Sequence, residues 1–115
     1  MLRYPVIVKN SIVPKLFSVF INVYAIALFP FVFVRDNGNT RTFNHESIHF
    51  RQQKELLVIF FYILYVWDWI VGLIKYRSAS YAYARIRFEQ EAYDHDHNDF
   101  YLLSRKRNSW KKYKV

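Results

Sequence analysis

The sequence predicts a mainly α-helical chain: a helical hairpin preceded by a short extended region. Three observations carry this. Two glycines and three prolines in 115 residues leave room for few turns, so the elements are long. Residues 44–55 run through Phe50-Arg51-Gln52-Gln53-Lys54-Glu55, long side chains that favour helix. Between 81 and 103, Tyr81, Arg85, Phe88, Ala92, His95, Asp99 and Leu103 recur at spacings of three and four, the period of one helix face.

Taken in order, residues 4–13 are short and β-branched, and Pro5 confines them to an extended edge segment. Residues 16–34 are nearly all apolar and read either as a membrane helix or as a helix to about Leu28 followed by an extended run from Phe29 to Val34. Pro30 favours the second reading. Arg35-Asp36-Asn37-Gly38-Asn39-Thr40 is the clearest turn, with Thr40, Thr42 and Asn44 as candidate caps of the helix that follows. Leu56 to Ile74 is apolar except for Asp68 and Gly72. Ser78 or Ser80 then caps a second long helix over 81–103.

Composition narrows the chemistry. Without cysteine, there are no disulfides or thiolate metal sites, so any metal is held by His, Asp or Glu. The 17 Lys and Arg against 9 Asp and Glu give a formal charge of +8, which suits a lipid headgroup surface, nucleic acid or simply a basic solvated exterior. The 11 Phe, 10 Tyr and 3 Trp suit a tight core or a membrane interface. Length and the lack of linkers or repeats indicate a single domain over 1–115. No signal peptide is evident at the N-terminus, and a cytoplasmic or membrane-associated location is expected.

The chemistry-bearing motif is His45-Glu46-Ser47-Ile48-His49. Histidines four apart on a helix share a face, so both imidazoles can converge on one ion. Glu46, beside the first ligand, is placed to act as general base, and zinc is the metal this pattern suits. The bland alternative is two surface histidines near a helix start. A third ligand is needed, and Phe88-Glu89-Gln90-Glu91-Ala92-Tyr93 offers two candidates. At about 100° per residue, Glu89 and Glu91 flank the apolar stripe equally, so periodicity leaves both open. They also read as exposed acids balancing Arg85 and Arg87.

This second string resembles the Glu-x-Glu-Ala-Asp signature of gluzincin-type zinc metallopeptidases, in which the first Glu binds the metal. The resemblance implies Glu89 as the third ligand, beside His45 and His49. Tyr93 stands where that signature has Asp, a residue that orients a ligand histidine; Asp96 and Tyr93 are the candidates to replace it. Residues 44–56 with Tyr76-Arg77 and 88–93 are also similar to a group of short bacterial HExxH proteins, over roughly residues 29–105. That likeness implies a family without implying a substrate.

Other signals are weaker. His95 and His97 are two apart and do not share a helix face; His95 is a candidate supporter of the first site, and His97 a solvated helix end. The tail from Arg105 to Lys114, with six basic residues around Trp110 and Tyr113, suits an interfacial anchor or a solvated tail; no nucleic-acid recognition signature accompanies it, so that partner is not expected. Leu56–Ile74 would be about 28 Å long as a helix, enough to cross a bilayer. Crossing would bury Asp68 in lipid and separate Glu89 from the histidines. The expectation is therefore a chain that reverses around 66–72, with Asp68 or Gly72 as the break, in a hairpin that is buried or lies at a membrane surface.

The sequence thus predicts a zinc-dependent metallopeptidase-like hydrolase acting on a peptide or protein: His45, His49 and Glu89 as ligands, Glu46 as catalytic base, Zn2+ as cofactor. The alternative is a zinc-binding or membrane-interacting helical protein without proteolytic activity.

Overall fold

A computed structural model describes residues 4–14, 25–34 and 38–115. The apolar stretch 16–24 and turn residues 35–37 lie outside the described residues. Three short strands come first: β1 (Val6–Val8), β2 (Ala25–Leu28) and β3 (Phe31–Val34), in the order β1-β3-β2. β1 pairs parallel with β3 and β2 antiparallel, with Val6 opposite Phe31 and Ala27 opposite Val32. The edge position expected for the segment after Pro5 is what β1 occupies. Ala25–Leu28 is a strand, not the end of a helix. The turn at Phe29-Pro30 folds the chain back, so backbone groups that a helix would pair internally pair across to β3 instead. Val32 and Val34 of β3 are buried and alternate with more exposed neighbours.

Helix α1 (Thr40–Glu55) starts at Asn39, whose side chain accepts from the Thr42 amide at 2.9 Å. Asn39 is therefore the cap, in place of Thr40, Thr42 or Asn44. A sharp reversal follows. Leu57 and Val58 both have positive φ, 53° and 64°, and the Ile59 amide donates to the Leu57 carbonyl at 2.6 Å. This closes a γ-turn on a β-branched residue, a strained geometry.

Helix α2 (Ile59–Tyr76) runs without interruption through 66–72, so the expected break at Asp68 or Gly72 is corrected. Each residue instead serves a neighbouring helix. A Cβ on Gly72 would come within 2.9 Å of Ala82 Cβ, so the glycine is what lets α3 (Ala79–Arg85) lie close against α2. Asp68 is buried and accepts from the Arg87 guanidinium at 2.8 Å twice and from the Arg87 amide at 3.1 Å. It thereby caps α4 (Arg87–His95), whose own N-cap residue Ile86 supplies no side-chain bond. The chain reverses at 56–58 and again after the left-handed Arg77. Glu89 thus returns to the histidines on a third pass, not a second.

The long helix expected over 81–103 is broken. Ser78 caps its start, bonding the Tyr81 amide at 3.2 Å. Ile86, in extended conformation, then separates α3 from α4, and after a turn a short α5 (Tyr101–Ser104) follows. The break resets the helical phase. Of the predicted stripe, Phe88 and Ala92 are fully buried, whereas Tyr81 and Leu103 are exposed. A final 3-10 turn, Ser109–Lys112, brings Trp110 into the core with Phe61, Ile86 and Phe88. The tail is therefore not a loose solvated extension. Trp110 anchors it, and the Arg85 guanidinium and Lys75 ammonium donate to the carbonyls of Lys114 and Val115.

Candidate metal centre

The third pass sets α4 beside α1. His45 and His49 face Glu89, and all three are buried. One ligand atom from each lies within 4.8 Å of the others, an arrangement able to hold a metal ion. His45 Nε2 is 3.0 Å and His49 Nε2 3.2 Å from the same oxygen, Glu89 Oε1.

Each ring is held from behind. His45 Nδ1 lies 3.0 Å from Asp96 Oδ2, and His49 Nδ1 lies 2.8 Å from Gln52 Oε1. Both partners are acceptors, so the Nδ1 atoms carry the protons that donate to them, and both Nε2 atoms are presented to Glu89. Asp96 is itself fixed by the Arg41 guanidinium at 2.7 Å, and Asn44 donates to the Asp96 carbonyl at 3.1 Å. Asp96 thus takes the orienting position for which the sequence offered Asp96 and Tyr93. The Tyr93 ring instead packs edge-on against His45, with centroids 4.4 Å apart.

The far oxygen of Glu89 accepts from the Tyr65 hydroxyl at 2.5 Å. Hydroxyl contacts continue from Tyr65 to Tyr83 and on to Tyr93. Burial, and then the charge of Glu89, push the Tyr65 and Tyr83 phenols well above their ordinary range, so these groups remain protonated donors.

The electrostatics couple the two rings to the carboxylates around them. Burial alone would lower His49, but the carboxylates of Glu89 and Glu46 outweigh it and raise the ring to about 9. His45 is raised against the same opposing burial, chiefly by its hydrogen bond to Glu89. Glu89 is held well below the carboxylate range despite burial, by the charge of His49 and the hydrogen bond to His45. His49 Nε2, buried, lacks a well-formed hydrogen bond. Two imidazole nitrogens and a carboxylate oxygen meeting in a buried space are mutually compatible only with a positive species between them, a proton or a metal ion. The donor set, two nitrogens and one oxygen, is one that a divalent transition metal can take.

Glu46 is also buried. Its carboxyl is pushed up by desolvation, with His49 and His45 pulling the other way, and it interacts electrostatically with both rings and with Glu89.

Glu91 is occupied elsewhere. Neither it nor Glu89 is an exposed acid balancing Arg85 and Arg87. Glu91 accepts from Arg105 at 2.5 and 3.1 Å, from Gln52 at 2.9 Å and from Tyr101 at 2.7 Å. Arg105 also pairs with Glu55 at 2.6 Å, in a site where the Arg105 and Glu91 side chains are fully buried. With its oxygens committed to Arg105, Glu91 is not available to the histidines. His95 does not support the site either: its ring stacks on Tyr101 at 3.8 Å and its Nε2 lies 3.3 Å from the Tyr113 hydroxyl. His97 is exposed, as expected of a helix end. Gln52 and Tyr65 were the contributors missed in the sequence. Gln52 carried a signal, since it sits three residues after His49 on the same helix face; Tyr65 looked like one more aromatic in an apolar run.

No protein-family model matches the chain, and no curated protein or solved structure shows detectable similarity to it.

Proposed function

We propose that the protein is a zinc-dependent hydrolase of the metallopeptidase type, with His45, His49 and Glu89 as ligands and Glu46 as general base. The observation that carries this is the convergence of three buried ligand atoms within 4.8 Å, with both rings oriented from behind by Asp96 and Gln52. The resemblance of His45-Glu46-x-x-His49 and Glu89-x-Glu91-Ala92 to the gluzincin pattern supports the same reading. When bound there, zinc would polarise a substrate carbonyl and make a neighbouring water more acidic.

The chain's own groups would do the rest. Asp96 and Gln52 hold the ring tautomers. Tyr65 fixes Glu89 through its far oxygen. Glu46, whose affinity for protons burial increases, takes a proton from water and passes it to the leaving amine. A Glu46→Gln variant separates binding from turnover. It should keep about one zinc per chain and lose hydrolysis of a peptide library by roughly a hundredfold or more. Equal hydrolysis by variant and wild type would refute the base assignment.

One observation favours a second reading, a structural metal site. The side chains of His45 and His49 are only 10% and 4% exposed, as in closed sites. On that reading, the wild type binds zinc and hydrolyses nothing, and zinc removal lowers stability alone.

A further inference from the structure

Among the described residues, helix α2 buries one face and leaves the other bare. Phe61, Asp68 and Gly72 point inward. Ile59, Ile63, Val66, Trp67, Ile70 and Ile74 are 45–76% exposed, and Phe60 joins them. At about 100° per residue, these seven fall within an arc of about 120° that contains no polar side chain, and Asp68 lies across the helix from it. The stripe follows a helix about 27 Å long, so its apolar surface exceeds the scattered exposure usual for a monomer.

Charge indicates what covers this face. The stripe ends at Lys75 and Arg77, both exposed. The bond from Lys75 Nζ to the Val115 carbonyl, at 3.2 Å, sets the end of the lysine-rich tail beside them. Lys111, Lys112 and Lys114 of that tail are exposed as well. The whole chain carries +8. Two copies, each carrying +8, would repel one another overall, whereas an anionic surface would attract this basic end of the stripe.

We propose that α2 is a membrane-docking element that lies flat in the headgroup region of an anionic bilayer, with Ile63, Trp67 and Ile70 at the acyl boundary and Lys75, Arg77 and the tail lysines among the phosphates. The helix is long and apolar enough to cross, but its inner face is committed. Asp68 is bound to Arg87, and Gly72 is closed against Ala82. Crossing would strip both contacts, whereas lying flat strips neither. The proposal rests on nothing in the metal centre.

The test is co-sedimentation of the full chain with vesicles of equal parts phosphatidylcholine and phosphatidylglycerol, beside vesicles of phosphatidylcholine alone. Binding is expected to the mixed vesicles, with a blue shift of tryptophan fluorescence, and to be about tenfold or more weaker on the neutral ones and at high salt. Ile63→Glu combined with Ile70→Glu, both at exposed positions, should reduce binding by at least about tenfold while leaving the melting temperature unchanged. Trp67→Phe should bind but lose most of the blue shift. No binding to mixed vesicles, or full binding by the double variant, would overturn the proposal. So would resistance to alkaline extraction, which marks a spanning helix, or a wild-type dimer that the double variant dissociates, which would assign the stripe to a second copy.

Discussion

Replacing Glu91 by Gln removes one charge from a buried triad and leaves all three ligands in place, reaching His49 only through their shared partner Gln52, so it separates two glutamates that the helix wheel makes equivalent. Glu91 accepts four side-chain hydrogen bonds, two of them from an Arg105 that has no exposed side-chain surface. Breaking a buried ion pair by removing one partner costs about 3–5 kcal/mol. Arg105 keeps Glu55, at 2.6 and 3.1 Å, so the lower end applies, about 3 kcal/mol. At roughly 4–5 °C per kcal/mol for a chain of this size, the melting temperature should fall by about 12–15 °C. Zinc affinity, measured by competition with a chromophoric chelator below that temperature, should stay within about threefold of wild type, since no ligand is lost. Glu89→Gln should do the reverse, weakening zinc by about a hundredfold or more. If Glu91→Gln released the metal while Glu89→Gln retained it, the reasoning about both residues would fail.

Two further outcomes follow from the geometry. In chelator-treated protein, the His49 ring is raised from 6.5 to about 9. Its stabilising contribution, at most roughly 3 kcal/mol, is therefore fully present below pH 6.5 and is lost as the pH rises towards 9. The metal-free protein should melt at a lower temperature at pH 9 than at pH 6.5, and a flat profile by circular dichroism would contradict the imidazolium–carboxylate pair. Gly72→Ala would place a Cβ 2.9 Å from Ala82 Cβ and 3.1 Å from its Cα. The clash should outweigh the gain in helix propensity and destabilise the protein by about 1–2 kcal/mol; a stabilised variant in chemical denaturation would show that α2 and α3 are not in close contact at this point.

The candidate ligands were legible because the helical period is local: His45 and His49 share a face whatever the rest of the chain does. Glu89 was legible chiefly through resemblance, with Tyr93 and Asp96 one and two turns further along the same face leaning the same way. What distinguishes it from Glu91 is Arg105, 14 residues further on, and no wheel drawn on α4 contains Arg105. The path of the chain was less visible. Its first reversal falls on Leu57 and Val58, residues with no turn preference, and is held by α1 and α2 packing on either side. The break at Ile86 has no Gly or Pro to announce it. It is made by Asp68, which pairs with the Arg87 side chain and caps its amide from another helix. Asp68 was recognised as anomalous in an apolar run, but its partner was not, so it was read as a break instead of a cap. Ala25–Leu28 was apolar enough for helix or strand, and the partner strand decided between them.

The proposed function depends on a metal site formed by His45, His49 and Glu89. Its most direct test is the zinc content, by elemental mass spectrometry, of purified wild type beside His49→Ala after equal zinc loading and desalting. About one zinc per chain is expected for the wild type and close to none for the variant, since a three-ligand site loses one ligand. Equal zinc in both proteins, or none in the wild type, would contradict it.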